Sequence, residues 1–179
     1  MYALTDGSSS GMRIPNHAIN GVISWVDQCF KRSIDITLYE KQKQAIHQLL
    51  EKFHSQNGIR GVFQLPTGAG KTIVAAGLIM ALYRLKLLET RSIVLYLTPR
   101  KVLKDQVEDR FEDIFQIFET PKGLPIFRVD KPESDMVGWL KFFLEDWAED
   151  SILIVIVTPN ALHDFVKKFG WEGKSNTMS

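Results

Sequence analysis

The chain has 179 residues, of which 45% are hydrophobic and 24% charged; this suffices for one ordinary domain with a real core and excludes a disordered chain. Its 22 basic and 21 acidic residues leave a formal charge of +1, so any nucleic-acid binding has to come from a local patch and not from an overall basic field. The single cysteine allows no internal disulfide, no run approaches the about 18 apolar residues of a membrane span, and the first residues lack a signal peptide's basic start and apolar run. The expected setting is the cytoplasm, or the nucleus in a eukaryote, with no membrane partner.

Met1 to Arg13, with Gly7-Ser8-Ser9-Ser10-Gly11, reads as a flexible lead-in (1–13). Residues 14–36 hold a packing helix, with a docking helix for a partner as the other reading. Ile19, Val22, Ile23, Val26 and Phe30 recur there at helical spacing, with Pro15 and Asn16 at its start and Trp25 at its edge. Cys29 falls in this apolar pattern and reads as a small buried thiol. Thr37 and Glu40 have the capping-box spacing, after which Ala45, Ile46, Leu49, Leu50 and Phe53 make one apolar face that ends at Gly58. His17, His47, His54 and His163 are scattered without Cys or acidic partners at ligand spacing, so no zinc site is expected.

Val62 to Leu65 reads as a short strand, followed by the turn Pro66-Thr67-Gly68-Ala69-Gly70 and by a helix opened by Lys71 and Thr72. That order is the context of a P-loop. Successive backbone N–H groups and the positive end of the helix point into one concavity that suits phosphate oxygens. Gly68 and Gly70 let the backbone curl around an anion, Lys71 would reach the β/γ-phosphates, and the Thr72 hydroxyl would ligate Mg²⁺. The general pattern has Gly where this chain has Leu65.

Ser92 to Leu97 is a near-continuous apolar run, expected of a strand covered on both faces. It ends at Thr98-Pro99, read as the cap and first position of a helix with Val102, Leu103, Val107 and Phe111 inward. A short strand follows at Ile126 to Val129, then a helix begun near Asp135 with Val137, Leu140, Leu144 and Trp147 inward. Ile152 to Val157 is a second buried strand, ended by Thr158-Pro159 and followed by a helix bearing Leu162, Phe165, Val166 and Phe169. The alternation predicts an α/β fold with a mainly parallel sheet and helices on both faces. Ligands of such sheets bind beyond the carboxyl ends of the strands, and the ends at Leu65, Leu97 and Val157 would share that edge. The Thr98 and Thr158 hydroxyls and the helix starts behind them suit an anion there.

Motif by motif, the chain resembles the first RecA-like motor domain of superfamily 2 (DEAD/DEAH-type) helicases and translocases, most of all restriction-enzyme motor subunits and excision-repair type helicases. Pro66-Thr67-Gly68-Ala69-Gly70-Lys71-Thr72 matches that family's motif I (Walker A, 66–72), in which the Leu65 departure is normal. Leu38-Tyr39-Glu40-Lys41-Gln42…Ala45-Ile46 echoes its Leu-Arg-Pro-Tyr-Gln…Ala-Ile pattern, although Arg, Pro and Tyr are replaced. Thr98-Pro99-Arg100-Lys101 with Lys104 resembles motif Ia, and Thr158-Pro159-Asn160-Ala161-Leu162 resembles motif Ib. The resemblance covers roughly Leu38 to Phe169.

It implies a three-layer RecA-like P-loop NTPase domain at 37–170, preceded by an extra helix and followed by a flexible tail (171–179). It also implies ATP and Mg²⁺ held by Gln42, which reads adenine, and by Pro66, Thr67, Gly68, Ala69, Gly70, Lys71 and Thr72. Lys71 and Thr72 are then the catalytic residues present, and Thr72 the metal ligand. Pro99, Arg100, Lys101, Thr158 and Pro159 would touch a nucleic-acid backbone, DNA before RNA, with Arg100, Lys101 and Lys104 as a small positive patch. The family's acidic motif II lies on a strand beyond motif Ib, and the sequence reaches Ser179 first. The expectation is therefore an incomplete domain that binds ATP but hydrolyses it negligibly alone. The alternative is a non-catalytic nucleotide-binding or regulatory module completed by a partner chain. An incomplete parallel sheet also predicts self-association or partner dependence, with Ile152 to Val157 as the exposed edge.

Overall fold

Apolar spacing and a few polar contacts at helix ends decide the first half of the chain. The structure, a computed structural model, describes residues 14–55, 64–66, 68–99, 101–123, 125–131, 138 and 150–168. The chain divides into two compact units, Met1–Leu88 and Glu89–Ser179.

Among the described residues, three helices build the first unit: α1 (Asn16–Ile34), α2 (Glu40–Ser55) and α3 (Lys71–Arg84). On α1 the inward residues are Ile19, Ile23, Val26, Cys29 and Phe30, the face expected from the spacing. Burial pushes the Cys29 thiol above its ordinary pKa, since the thiolate would lose its hydration there. The helix ends at Asp35, in the left-handed conformation at φ 51°.

The start of α2 differs from the expected cap at Thr37. Leu38 is drawn into the core, 3% exposed, and its N–H donates to Asp27 Oδ1 at 2.7 Å. The helix therefore starts two residues too late for Thr37 to cap, and Tyr39 precedes it. The Gln42 side chain reaches back to it, Oε1 accepting the Tyr39 N–H at 3.0 Å. Further along α2, Ala45, Ile46 and Leu50 are buried. They meet α3 at Gly77, where a Cβ would lie 2.7 Å from Ile46 Cδ1 and 3.3 Å from Phe30 Cε2. Glycine is what lets the three helices approach at that level. At the far end of α3 the Arg84 guanidinium lies over the Trp25 ring, 5.4 Å from its centroid.

The second unit is a parallel sheet with helices on both faces. Its elements are β1 (Ile93–Leu97), α4 (Lys101–Phe115), β2 (Phe127–Asp130), β3 (Ile152–Val157) and α5 (Pro159–Lys168), and the sheet order is β1-β3-β2. The register pairs Tyr96 with Ile156 and Phe127 with Ile152, so these side chains share one face by the alternation of a strand. α4 covers that face: Phe111 meets Tyr96 edge-on at 5.2 Å, and Phe115 stacks on Phe127 at 4.5 Å. On the opposite face Leu153, Val155 and Val157 form a core cluster with Leu162 of α5. Three layers result, as an α/β domain of this type requires.

Several expectations are corrected here. Ile152 to Val157 is not an edge: β3 pairs on both sides and every residue in it is buried. Among the described strands the edges are β1 and β2. Nor is β1 covered on both faces, since Ile93, Leu95 and Leu97 are 44%, 46% and 50% exposed. An apolar run fits either position, and only the sheet order separates them. α4 begins at Lys101 and not at Pro99, because Thr98 continues along β3, its N–H donating to Val157 O at 3.0 Å. The strand expected at Ile126 to Val129 is β2, Phe127–Asp130, starting one residue later than expected.

Of the strand expected at Val62 to Leu65, the first two residues lie outside the described residues, and Gln64 and Leu65 belong to none of the sheet's described strands. The lead-in 1–13, the tail 171–179 and nearly all of the helix expected from Asp135 also lie outside them. No described helix is long and apolar enough to cross a membrane.

Candidate functional site

The glycine turn is shaped by its two glycines. Gly68 and Gly70 sit at φ 80° and 79°, the left-handed region that side chains with a Cβ avoid. The Ala69 N–H donates back to Pro66 O at 3.2 Å, closing the turn. Gly70 then precedes α3, which starts with no side-chain cap and no acidic residue in its first turn. Helices ordinarily satisfy their first N–H groups with a capping oxygen or an acidic side chain. Among the described residues this start is left open. Lys71 is exposed and Thr72 half-buried on this first turn, while Pro66 and Gly68 are exposed and Ala69 half-buried. Thr67 lies outside the described residues.

Gln42 joins this turn from α2. It is only 6% exposed, and its Nε2 donates to Ala69 O at 3.1 Å while its Oε1 holds the Tyr39 N–H. A Cβ on Gly70 would lie 2.5 Å from Gln42 Nε2, so any larger residue there would displace the Gln42 amide in addition to straining φ. Among the described residues, one N–H of the amide and one lone pair of its oxygen are left over, the pair of groups that a bidentate contact to an adenine edge uses. The turn and Gln42 therefore fit a bound nucleotide: an uncapped helix start for phosphate, an exposed lysine, a hydroxyl one residue on, and an amide with spare capacity.

Sequence reasoning missed Asp27. It holds the turn before Gln42 through the Leu38 N–H and pairs with Lys43 at 2.6 Å. Nothing in the local pattern of α1 marks an aspartate as tied to a residue eleven positions on.

In the second unit the ends of β1 and β3 are neighbours, because Leu97 pairs with Val157. Thr98 is buried, 4% exposed, so it does not present itself to solvent as expected. Thr158 is half-buried, and its Oγ1 accepts the Ala161 N–H at 3.3 Å, capping α5. Pro99 and Pro159 are exposed beside them. Arg100 and the side chain of Lys101 lie outside the described residues. Lys104 is 8% exposed and does not join a solvent-facing patch, since it lies on the buried side of α4. At the end of β2, Lys131 pairs with Asp105 and Glu108 of α4, each at 2.5 Å, and these bonds raise its pKa well above the ordinary lysine value.

A parallel sheet between helices, in a chain that also carries a glycine turn opening a helix, defines the RecA-like α/β class. The family of the type III restriction enzyme, res subunit, matches residues 35–169. The chain belongs to this family of ATP-dependent, helicase-like motor domains. No curated protein matches the sequence.

Proposed function

We propose that this chain binds MgATP in the turn 66–72 and is the ATP-binding part of a superfamily 2 helicase or translocase. The observation that carries the reading is the uncapped start of α3 directly behind two left-handed glycines. An open helix start is an anion site by its N–H groups and its dipole. Lys71 holds the β/γ-phosphates by charge, and Gln42 selects adenine with the N–H and lone pair it has to spare. Thr72 Oγ1 is the ligand for Mg²⁺, which, when bound, neutralises charge on the phosphate oxygens.

Pro99, Arg100, Lys101, Thr158 and Pro159 form the nucleic-acid contact at the ends of β1 and β3. These contacts go to the sugar–phosphate backbone and are independent of sequence. The family's description as a restriction-enzyme subunit favours DNA over RNA.

The test is a titration of a fluorescent ATP analogue with Mg²⁺ into wild type and Lys71→Ala. Loss of a charge-assisted bond predicts affinity weaker by about tenfold or more in the variant. Equal affinity of the two proteins overturns the reading.

A further inference from the structure

The residues matched to the family begin at 35, so α1 precedes them entirely. One side chain of α1 nevertheless reaches the nucleotide turn through a short series of bonds. Asp27 Oδ1 accepts the Leu38 N–H at 2.7 Å, and Asp27 Oδ2 lies 2.6 Å from Lys43 Nζ. Leu38 and Lys43 flank the first turn of α2, and Gln42 lies between them. Gln42 in turn bonds the Tyr39 N–H and the Ala69 carbonyl. Both Asp27 and Lys43 are largely shielded, their side chains 19% and 30% exposed. A charged acceptor on a partly buried backbone N–H is among the stronger hydrogen bonds, whereas an exposed ion pair alone contributes little.

We infer that Asp27 is a positioning residue for the nucleotide site: its carboxylate holds the turn before Gln42, and through Gln42 it sets adenine selection and the backbone of the phosphate loop. The inference rests on the nucleotide reading above and adds to it an element outside the family-matched region. Asp27 touches no ligand. Its effect passes through Gln42, so it alters the choice of base and not only the stability of the helices.

The experiment compares wild type, Asp27→Ala, Asp27→Asn, Gln42→Ala and the double variant Asp27→Ala/Gln42→Ala, titrating each with ATP and with GTP. The preference for ATP should fall about fivefold in Asp27→Ala, the usual effect of one hydrogen bond. Asp27→Asn keeps an oxygen for the Leu38 N–H and should keep most of the preference. In the Gln42→Ala background the Asp27 change should have no further effect on the ratio.

Amide hydrogen exchange without nucleotide gives a second readout. Leu38, Tyr39 and Ala69, whose N–H groups are bonded in this network, should exchange faster in Asp27→Ala, with Val26 and Phe30 in α1 unchanged. Equal loss of ATP and GTP affinity overturns the inference, as does an Asp27 effect that adds to that of Gln42→Ala, or faster exchange throughout α1. If wild type binds neither nucleotide, the nucleotide reading fails on its own, and the exchange pattern still decides whether Asp27 positions Gln42.

Discussion

Gly68 and Gly70 share nearly the same left-handed φ but not the same surroundings, and that difference separates two effects at one turn. A Cβ on Gly68 meets nothing within 4 Å, so Gly68→Ala adds only the backbone strain of about 1–2 kcal/mol. A Cβ on Gly70 meets Gln42 Nε2, so Gly70→Ala adds displacement of Gln42 to a similar strain. Titration with ATP and GTP should find the preference for ATP reduced in Gly70→Ala and kept in Gly68→Ala. The turn was legible in the sequence because its chemistry is local: glycines where φ is positive, and a lysine and threonine opening the helix. The partners of Gln42 were not legible, since Ala69 lies 27 residues away and Asp27 acts from a separate helix.

At the scale of elements, the close approach of α1, α2 and α3 at Gly77 is a packing requirement. Gly77→Val would drive a branched side chain into Ile46 and Phe30, both 0% exposed. The expected cost is about 1–3 kcal/mol, measured as a lower urea midpoint at unchanged slope. An unchanged midpoint would mean that the helices are not packed this way. Cys29 reports on the same packing. Burial raises its pKa, so the folded state disfavours the thiolate; the stability linked to this group is complete below the free thiol's value and is lost as pH rises through the folded value. Alkylation by iodoacetamide at neutral pH should therefore be slow in the folded chain and fast in urea.

For α5, Thr158→Ala should cost about 1 kcal/mol by loss of the cap, and Thr158→Ser should restore it. The apolar periodicity of α1 and α2 foretold their buried faces, and the Thr-Pro pair foretold the start of α5. Sheet order was beyond such reading. IVLYL and ILIVIV look alike as runs, yet among the described strands one lies at the edge with three exposed residues and the other at the centre, a difference made by pairing between distant segments.

For the whole molecule, the parallel α/β fold and the family membership agree with what the motifs implied. The near-neutral charge gives the nucleic-acid proposal a quantitative form. With a formal charge of +1, binding has to rest on a few residues, and neutralising Arg100 and Lys101 together should weaken it by a similar factor on unrelated sequences. The salt slope should fall by about 1 for each phosphate contact removed, as read by fluorescence anisotropy. A double variant that keeps both affinity and slope would place the nucleic acid elsewhere.

The central claim, that the turn and the uncapped start of α3 hold the phosphates of ATP through backbone N–H groups, is tested most directly by amide hydrogen exchange with and without MgATP. The account predicts slowed exchange at Gly68, Gly70, Lys71, Thr72 and Ile73, with the amides of β3 unchanged. Saturation with MgATP that leaves those five amides exchanging at their free rates would contradict it.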